Sequence, residues 1–314
     1  MINVQRYQLA NKQEWDCFCK KSKNSLFMFQ RNYMDYHKEK FTDSSLMFYY
    51  NDKLIAVLPM NKERNVLFSH GGLTFGGFVA DEKMKQHIMN DCFAVLRQYM
   101  KENGLNRVVY KLIPHIYHRQ PCEEDKYCLK KSGGKLDKIE VSTVINLKNI
   151  LKMSKGRKAQ VSRARREGVV ICELSKNEDF ERFISLENDV LRERHHTKAV
   201  HTGKELKLLH DYFPQNIHLF GALYNQELIA GTVIYEYENV IHTQYMAANK
   251  TAREIGALDL TVNTIIDNYK DDKLWLDFGI STENSGEYLN EGLAAQKEGF
   301  GGRTNVYETW SMEI

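Results

Sequence analysis

Proline is scarce in this 314-residue chain, with only 4, while 42% of the residues are hydrophobic and 27% charged. That balance excludes disordered, collagen-like and low-complexity chains and leaves a folded globular protein. Long apolar runs are also missing. The longest, such as Leu54 to Met60 (LIAVLPM), fall far short of the ~20 residues a bilayer span requires. The opening MINVQRYQLANKQEWD mixes in charge too early to hold a signal-peptide apolar core. Cysteine is sparse: the six, at 17, 19, 92, 122, 128 and 172, form no CxxC pair. Scattered in this way they read as reduced thiols of a cytoplasmic protein. Neither an HExxH metal signature nor a coiled-coil heptad segment is present. Finally, there is no excess of one charge, since 44 basic residues meet 41 acidic ones for a net +3. That argues against a nucleic-acid binder whose whole surface is basic.

What is there begins with a local charge concentration. Between Lys152 and Glu167 (KMSKGRKAQVSRARRE) lie seven basic residues and one acid, a net +6, so the remainder of the chain sums to −3. Composition favours a helix, with Gly168 placed to end it. At roughly 150 residues per domain the length suggests two domains, and this segment falls where a link between halves would lie. The boundaries expected are 1–150, a basic linking helix over 151–168, and 169–314.

Periodicity gives the second half a regular order. A strand at Val169 to Leu174 precedes a helix from about Glu178, with Phe180, Phe183, Ile184, Val190 and Leu191 at helical spacing; only Glu187 breaks the stripe. Thr202-Gly-Lys-Glu205 has capping-box spacing and opens a second helix, stopped by Pro214. Three strands follow, at Ile217 to Tyr224, Leu228 to Tyr237 and Val240 to Ala247. A helix over Gly256 to Tyr269, a strand at Leu274 to Ile280, a helix at Glu287 to Glu298 and a strand at Thr304 to Met312 complete the order βααβββαβαβ. The first half repeats it more roughly. Tyr50-Asn-Asp-Lys-Leu-Ile-Ala56 matches Tyr224-Asn-Gln-Glu-Leu-Ile-Ala230 at the same hairpin, which supports a duplication.

This order resembles the GNAT acyltransferase fold, an α/β architecture with a mixed sheet whose fourth and fifth strands splay apart. Two tandem GNAT domains joined by a basic helix resemble the FemAB-like branch, the peptidoglycan aminoacyltransferases and their relatives. The residues that carry the likeness are Lys158 to Gly168, His242-Thr-Gln-Tyr245, Asp277-Phe-Gly279, Gly292-Leu293 and Lys297-Glu-Gly-Phe-Gly301. The phrases Glu193-Arg-His-His-Thr197 and Asp277 to Glu283 are similar to a subgroup associated with bacterial surface-polysaccharide synthesis. The resemblance implies an acyltransferase that moves an acyl (acetyl) or aminoacyl group to an amine of a cell-envelope or surface-polysaccharide precursor. It implies an acyl-CoA donor, with aminoacyl-tRNA as the rival donor. From another class, a non-catalytic binding module for a phosphorylated glycan precursor stays open, because no side chain is compulsory in this fold. Two departures stand out. The coiled-coil arm of many FemAB enzymes is missing, and the pyrophosphate loop reads Arg253-Glu-Ile-Gly256-Ala-Leu258, with Leu at its last position.

Candidate site residues follow. Glu193 and His196, beside Arg194 and near His201, supply groups able to take a proton from an acceptor. Their rival role is to cap a helix terminus, and no metal site is expected. His242 and Gln244 lie on the fourth strand, where alternation places them on one face. Arg253, Gly256 and Ala257, at a strand–helix turn, are candidates to hold a donor phosphate at a helix N-terminus. The four-glycine loop from His70 to Gly77 is the first copy's counterpart and reads equally as a flexible crossover. Asp277, Ser281 and Glu283 sit at the mouth of a core strand, with Glu283 the candidate base and Asp277 and Ser281 the substrate contacts; Asp277 alternatively anchors a turn. The resemblance adds Lys297 and Arg303 as acceptor contacts. The segment Lys152 to Arg166 reads as a solvated face, a contact to a phosphate-bearing substrate, or a tRNA contact. It lacks interleaved aromatics, which argues against single-strand stacking.

Overall fold

The computed structural model describes residues 1–195 and 197–314, and of residues 194 and 195 the backbone alone. Its chain divides into two compact units: 1–140 with 284–286 and 306–314, and 141–283 with 287–305. The division thus runs differently from the sequence boundaries. The basic segment lies inside the second unit, and the last nine residues return to the first.

In the first unit, β1 (Ile2–Arg6) pairs antiparallel with β2 (Leu46–Tyr50), which pairs with β3 (Lys53–Leu58); α1 (Lys12–Lys21) lies between β1 and β2 in sequence. Next come α2 (Gln86–Glu102), β4 (Arg107–Lys111) and α3 (Glu124–Lys131), the last unforeseen from sequence. The strand β5 (Lys135–Asn146) runs across the boundary at Glu140. A core of Leu46, Phe48, Ala56, Phe78, Phe93, Leu96 and Tyr110 sits between α2 and these strands. The loop from His70 to Gly77 is held from below: Lys111 Nζ donates to the carbonyls of His70 (3.2 Å) and Leu73 (2.6 Å).

In the second unit, α4 (Lys155–Arg166) begins at Ser154, whose hydroxyl accepts from Arg157 N at 3.3 Å. It ends at Gly168, whose φ of +81 suits a glycine stop. Val161 and Ala164 are buried and the remaining face is exposed and basic. Then come β6 (Val170–Leu174), α5 (Asn177–His195) and α6 (Gly203–Tyr212). Both halves of the capping box form, Glu205 N donating to Thr202 Oγ1 (3.2 Å) and Thr202 N to Glu205 Oε2 (2.7 Å). The meander β7 (Ile217–Tyr224), β8 (Glu227–Glu236), β9 (Val240–Ala248) is antiparallel, and α7 (Lys250–Ile255), α8 (Ala257–Tyr269), β10 (Trp275–Ile280) and α9 (Glu291–Glu298) follow. The last strand, β11 (Arg303–Glu313), begins in this unit; its end, Thr309 to Glu313, pairs with β4 in the first. Within the second unit the strand order is β6-β7-β8-β9-β10-β5. Phe180, Phe183 and Ile184 of α5 are buried, and each such side chain contributes about 1.5–3 kcal/mol.

The repeated heptapeptide has the same conformation in both units. Asn51 and Asp52 take φ of 47 and 60, Asn225 and Gln226 take 50 and 69, and in each hairpin the repeated isoleucine, Ile55 or Ile229, is the extra residue of a bulge on the second strand. Two consecutive positive-φ residues are what a two-residue hairpin turn requires.

Candidate acyl-transfer cleft

Parallel pairing of β9 with β10 covers three positions, Val240 with Trp275, Ile241 with Leu276 and His242 with Asp277. Beyond them β9 continues to Ala248 with no further β10 partner among the described residues, so the edge from 243 to 248 parts from its neighbour. On its other edge β9 carries a bulge: Val233 faces Tyr245 while Ile234 faces Thr243, leaving Gln244 as the extra residue. A bulge interrupts alternation and re-aims side chains. The expectation that His242 and Gln244 share a face therefore does not carry across it.

A cavity of about 390 Å³ opens where the strands part, lined by Met246 and Ala248 of β9 and by residues of α4, α5, α7, α8 and α9. Arg157 lines it and pairs with Asp259 at 2.7 Å. Burial raises the Asp259 carboxyl above its ordinary range, with Arg157 opposing. Arg253 also lines the cavity, donating from Nη1 to the Ala248 carbonyl at 2.7 Å. The chain from 250 to 255 is the short helix α7 rather than the open turn expected there. Gly256, in the left-handed region at φ +79, joins it to α8. Ala257 is the first residue of α8, whose first turn has no cap from the Gly256 position and carries the acid Asp259. Space over Gly256 is limited, because a Cβ there would lie 2.5 Å from the Gln160 carbonyl oxygen of α4.

A second group forms at the end of β10. Asp277 is 0% exposed, accepts from Ser142 Oγ at 2.5 Å and Gly279 N at 2.8 Å, and lies 3.8 Å from His242 Nδ1. Buried Lys297 donates to the carbonyls of Gly279 (2.9 Å) and Ile280 (2.7 Å). Burial pulls its ammonium down to about 8, Asp277 opposing. Ser281 is buried here, its hydroxyl without a hydrogen-bond partner among the described residues. The structure thus brings together His242, Asp277, Ser281 and Lys297, and separately Arg253, Gly256 and Ala257. Glu193, Glu283 and Arg303 are exposed; Glu283 accepts from Asn290 at 2.8 Å and Arg303 donates to Gly302 at 2.6 Å. His196 and the side chain of Arg194 lie outside the described residues. His201 Nδ1 and the Tyr245 hydroxyl are 2.5 Å apart, tying the start of α6 to β9 beside the bulge.

Sequence reasoning missed Glu187. It is 8% exposed on α5, lines the cavity, and has a carboxylate oxygen with no partner among the described residues. Its signal was in view as the one polar residue on the apolar stripe of that helix. Gln160 Oε1, on the same cavity, and Gln244 Oε1 and Thr243 Oγ1 at the bulge are likewise buried and unpaired among the described residues. Unsatisfied buried polar atoms are rare in folded proteins, and each calls for a partner such as a water, an ion or a ligand.

Residues 152–288 match the family model described as an acetyltransferase (GNAT) domain. Among solved structures the chain is similar to FemX, at 12% identity and a TM-score of 0.70, covering 99% of this chain and 97% of that one. It is similar to L-PGS from Bacillus licheniformis at 15% identity and 0.65, covering 96% and 91%. A tandem GNAT protein from the clavulanic acid biosynthesis pathway gives 8% and 0.57, covering 100% and 98%. No curated protein matches the chain. The fold is a tandem GNAT fold, shared with FemX and with the tandem GNAT protein. Among the described residues there is no group of side chains able to hold a metal ion, and no helix long and apolar enough to cross a membrane.

Proposed function

We propose that this protein is a cytoplasmic N-acyltransferase that moves an acyl or aminoacyl group to an amine of a cell-envelope or surface-polysaccharide precursor. The observation that carries the reading is the parting of β9 from β10 over a 390 Å³ cavity. Unpaired backbone N–H groups along an opened strand edge are fixed dipoles, suited to an oxyanion forming at the donor carbonyl. Arg157 and Arg253 suit the donor's phosphates. His242, with Asp277 and Lys297 near it, stands at the last paired position before the cleft opens.

Acetyl-CoA and aminoacyl-tRNA are the two donors in question. One observation favours tRNA: the exposed face of α4 carries Lys155, Lys158, Arg163, Arg165 and Arg166, while its backbone closes over Gly256. Such a cationic face binds a nucleic-acid backbone with steep salt dependence. The test is thermal unfolding with millimolar acetyl-CoA, micromolar alanyl-tRNA and millimolar nucleotide-sugars. A donor that raises the unfolding temperature identifies itself, and charge reversal at Arg163, Arg165 and Arg166 is expected to abolish a tRNA shift but leave an acetyl-CoA shift. Stabilisation by a nucleotide-sugar alone overturns the enzyme reading in favour of a binding module.

A further inference from the structure

We propose that Glu187 is the cleft's ammonium receptor, the group that binds the primary ammonium of a substrate and takes its proton; the second half of this statement rests on the acyl-transfer reading. A carboxylate that lines a cavity, is more than nine-tenths buried and leaves an oxygen with no partner among the described residues is costly until a water or a ligand completes it. Among the described residues, the cations that line the cavity already have partners. On α4 Arg157 is paired with Asp259 of α8, and on α7 Arg253 is bonded to the Ala248 carbonyl. The other groups lining the cavity around Glu187 are neutral: Gln160 of α4, Val190 and Leu191 of α5 itself, Met246 of β9, Leu258 of α8, and Leu293 and Gln296 of α9. Burial alone pushes the Glu187 carboxyl up to about 7, so near neutral pH it both accepts and returns a proton. An anionic ligand at this point is disfavoured, and a primary ammonium supplies both the charge and the N–H donors the carboxylate lacks.

The transfer balances as follows. The acceptor ammonium gives one proton to the Glu187 carboxylate. The freed nitrogen lone pair forms the C–N bond to the acyl carbon, and the bond from that carbon to the donor's sulfur or oxygen breaks, its electron pair leaving with that atom. The leaving atom takes the second nitrogen proton, and Glu187 releases the first to solvent.

The probe is n-butylammonium chloride, with tetramethylammonium chloride as the control for salt and bulk, read by thermal unfolding of the whole chain between pH 6 and 8.5. The expected result is stabilisation by n-butylammonium alone, with an apparent affinity about tenfold weaker at pH 6 than at pH 8, and its loss in Glu187→Gln. Glutamates labelled with carbon-13 at the carboxyl, Glu187 being assigned by the signal missing from the variant, are expected to show one carboxyl titrating near pH 7 that shifts on adding the amine. Two sources of the ammonium separate in one further arm. A site for the acceptor takes n-butylammonium beside bound acetyl-CoA, whereas a site for the donor's own α-ammonium is filled by an alanyl-microhelix RNA that excludes the amine. Equal responses in wild type and Glu187→Gln, or none in either, overturn the proposal whatever the donors do. Failure of both donors with a retained, Glu187-dependent amine response overturns only the acyl-transfer reading.

Discussion

Replacing Glu187 by Gln removes a titrating group from the interior of the second unit with almost no change of shape. The wild-type carboxyl titrates at about 7 rather than 4.5, because burial penalises its charged form and no described cation compensates it. A folded-state value above the unfolded one gives stability that is fully present below pH 4.5 and is lost as pH rises through 7. At about 1.4 kcal/mol per pH unit the full loss is about 3 kcal/mol, of which about 2 kcal/mol falls between pH 5.5 and 8.5. Gln has no such term, so wild type is expected to lose about 2 kcal/mol relative to Glu187→Gln across that range. Amide hydrogen exchange of the slowest amides in α5 and β9 reports the second unit separately from the first. A difference between the two proteins that changes by less than about 0.5 kcal/mol over the range would refute the idea that this carboxyl is buried without compensation.

Other perturbations have equally definite outcomes. Gly256→Ala adds a Cβ at φ +79, 2.5 Å from a carbonyl oxygen, and is expected to cost more than about 2 kcal/mol. Gly168→Ala, at φ +81 with open space around it, is expected to cost about 1 kcal/mol, and urea unfolding midpoints compare the two. His218 contacts Glu173 at 2.6 Å. Burial alone would lower its pKa, but the carboxylate of Glu236, 3.4 Å from Nε2, and the hydrogen bond to Glu173 hold it up to about 9. Its contribution is fully present below pH 6.5 and lost as pH rises through 9, so His218→Gln should destabilise by about 1–3 kcal/mol at pH 6 and much less at pH 10. Asp277→Ala strands the Ser142 hydroxyl and the Gly279 N–H, and a loss of about 2–4 kcal/mol in chemical denaturation is expected, with Asp277→Asn retaining part of it.

The sequence by itself determined the element types of the second unit apart from α7, the capped start of α6, the glycine end of α4 and the repeated hairpin. These are local matters: apolar spacing, a Thr and Glu three residues apart, and consecutive residues tolerant of positive φ decide them within a few residues. Arg253, Gly256, His242, Asp277 and Lys297 could be named from the chain because the motif-like phrases around them are contiguous. Tertiary structure alone decided the rest. Alternation along β9 fails at Gln244 because of a bulge that only the pairing with β8 defines. The return of 306–314 to the first unit depends on the pairing of Thr309 to Glu313 with β4, across some two hundred residues of chain. Glu187 is the clearest case. Its place on an apolar stripe was visible, but its unpaired buried oxygen and its cavity exist only because α4, α5, α7, α8, α9 and β9 converge there, and no spacing within one helix encodes what the other five bring.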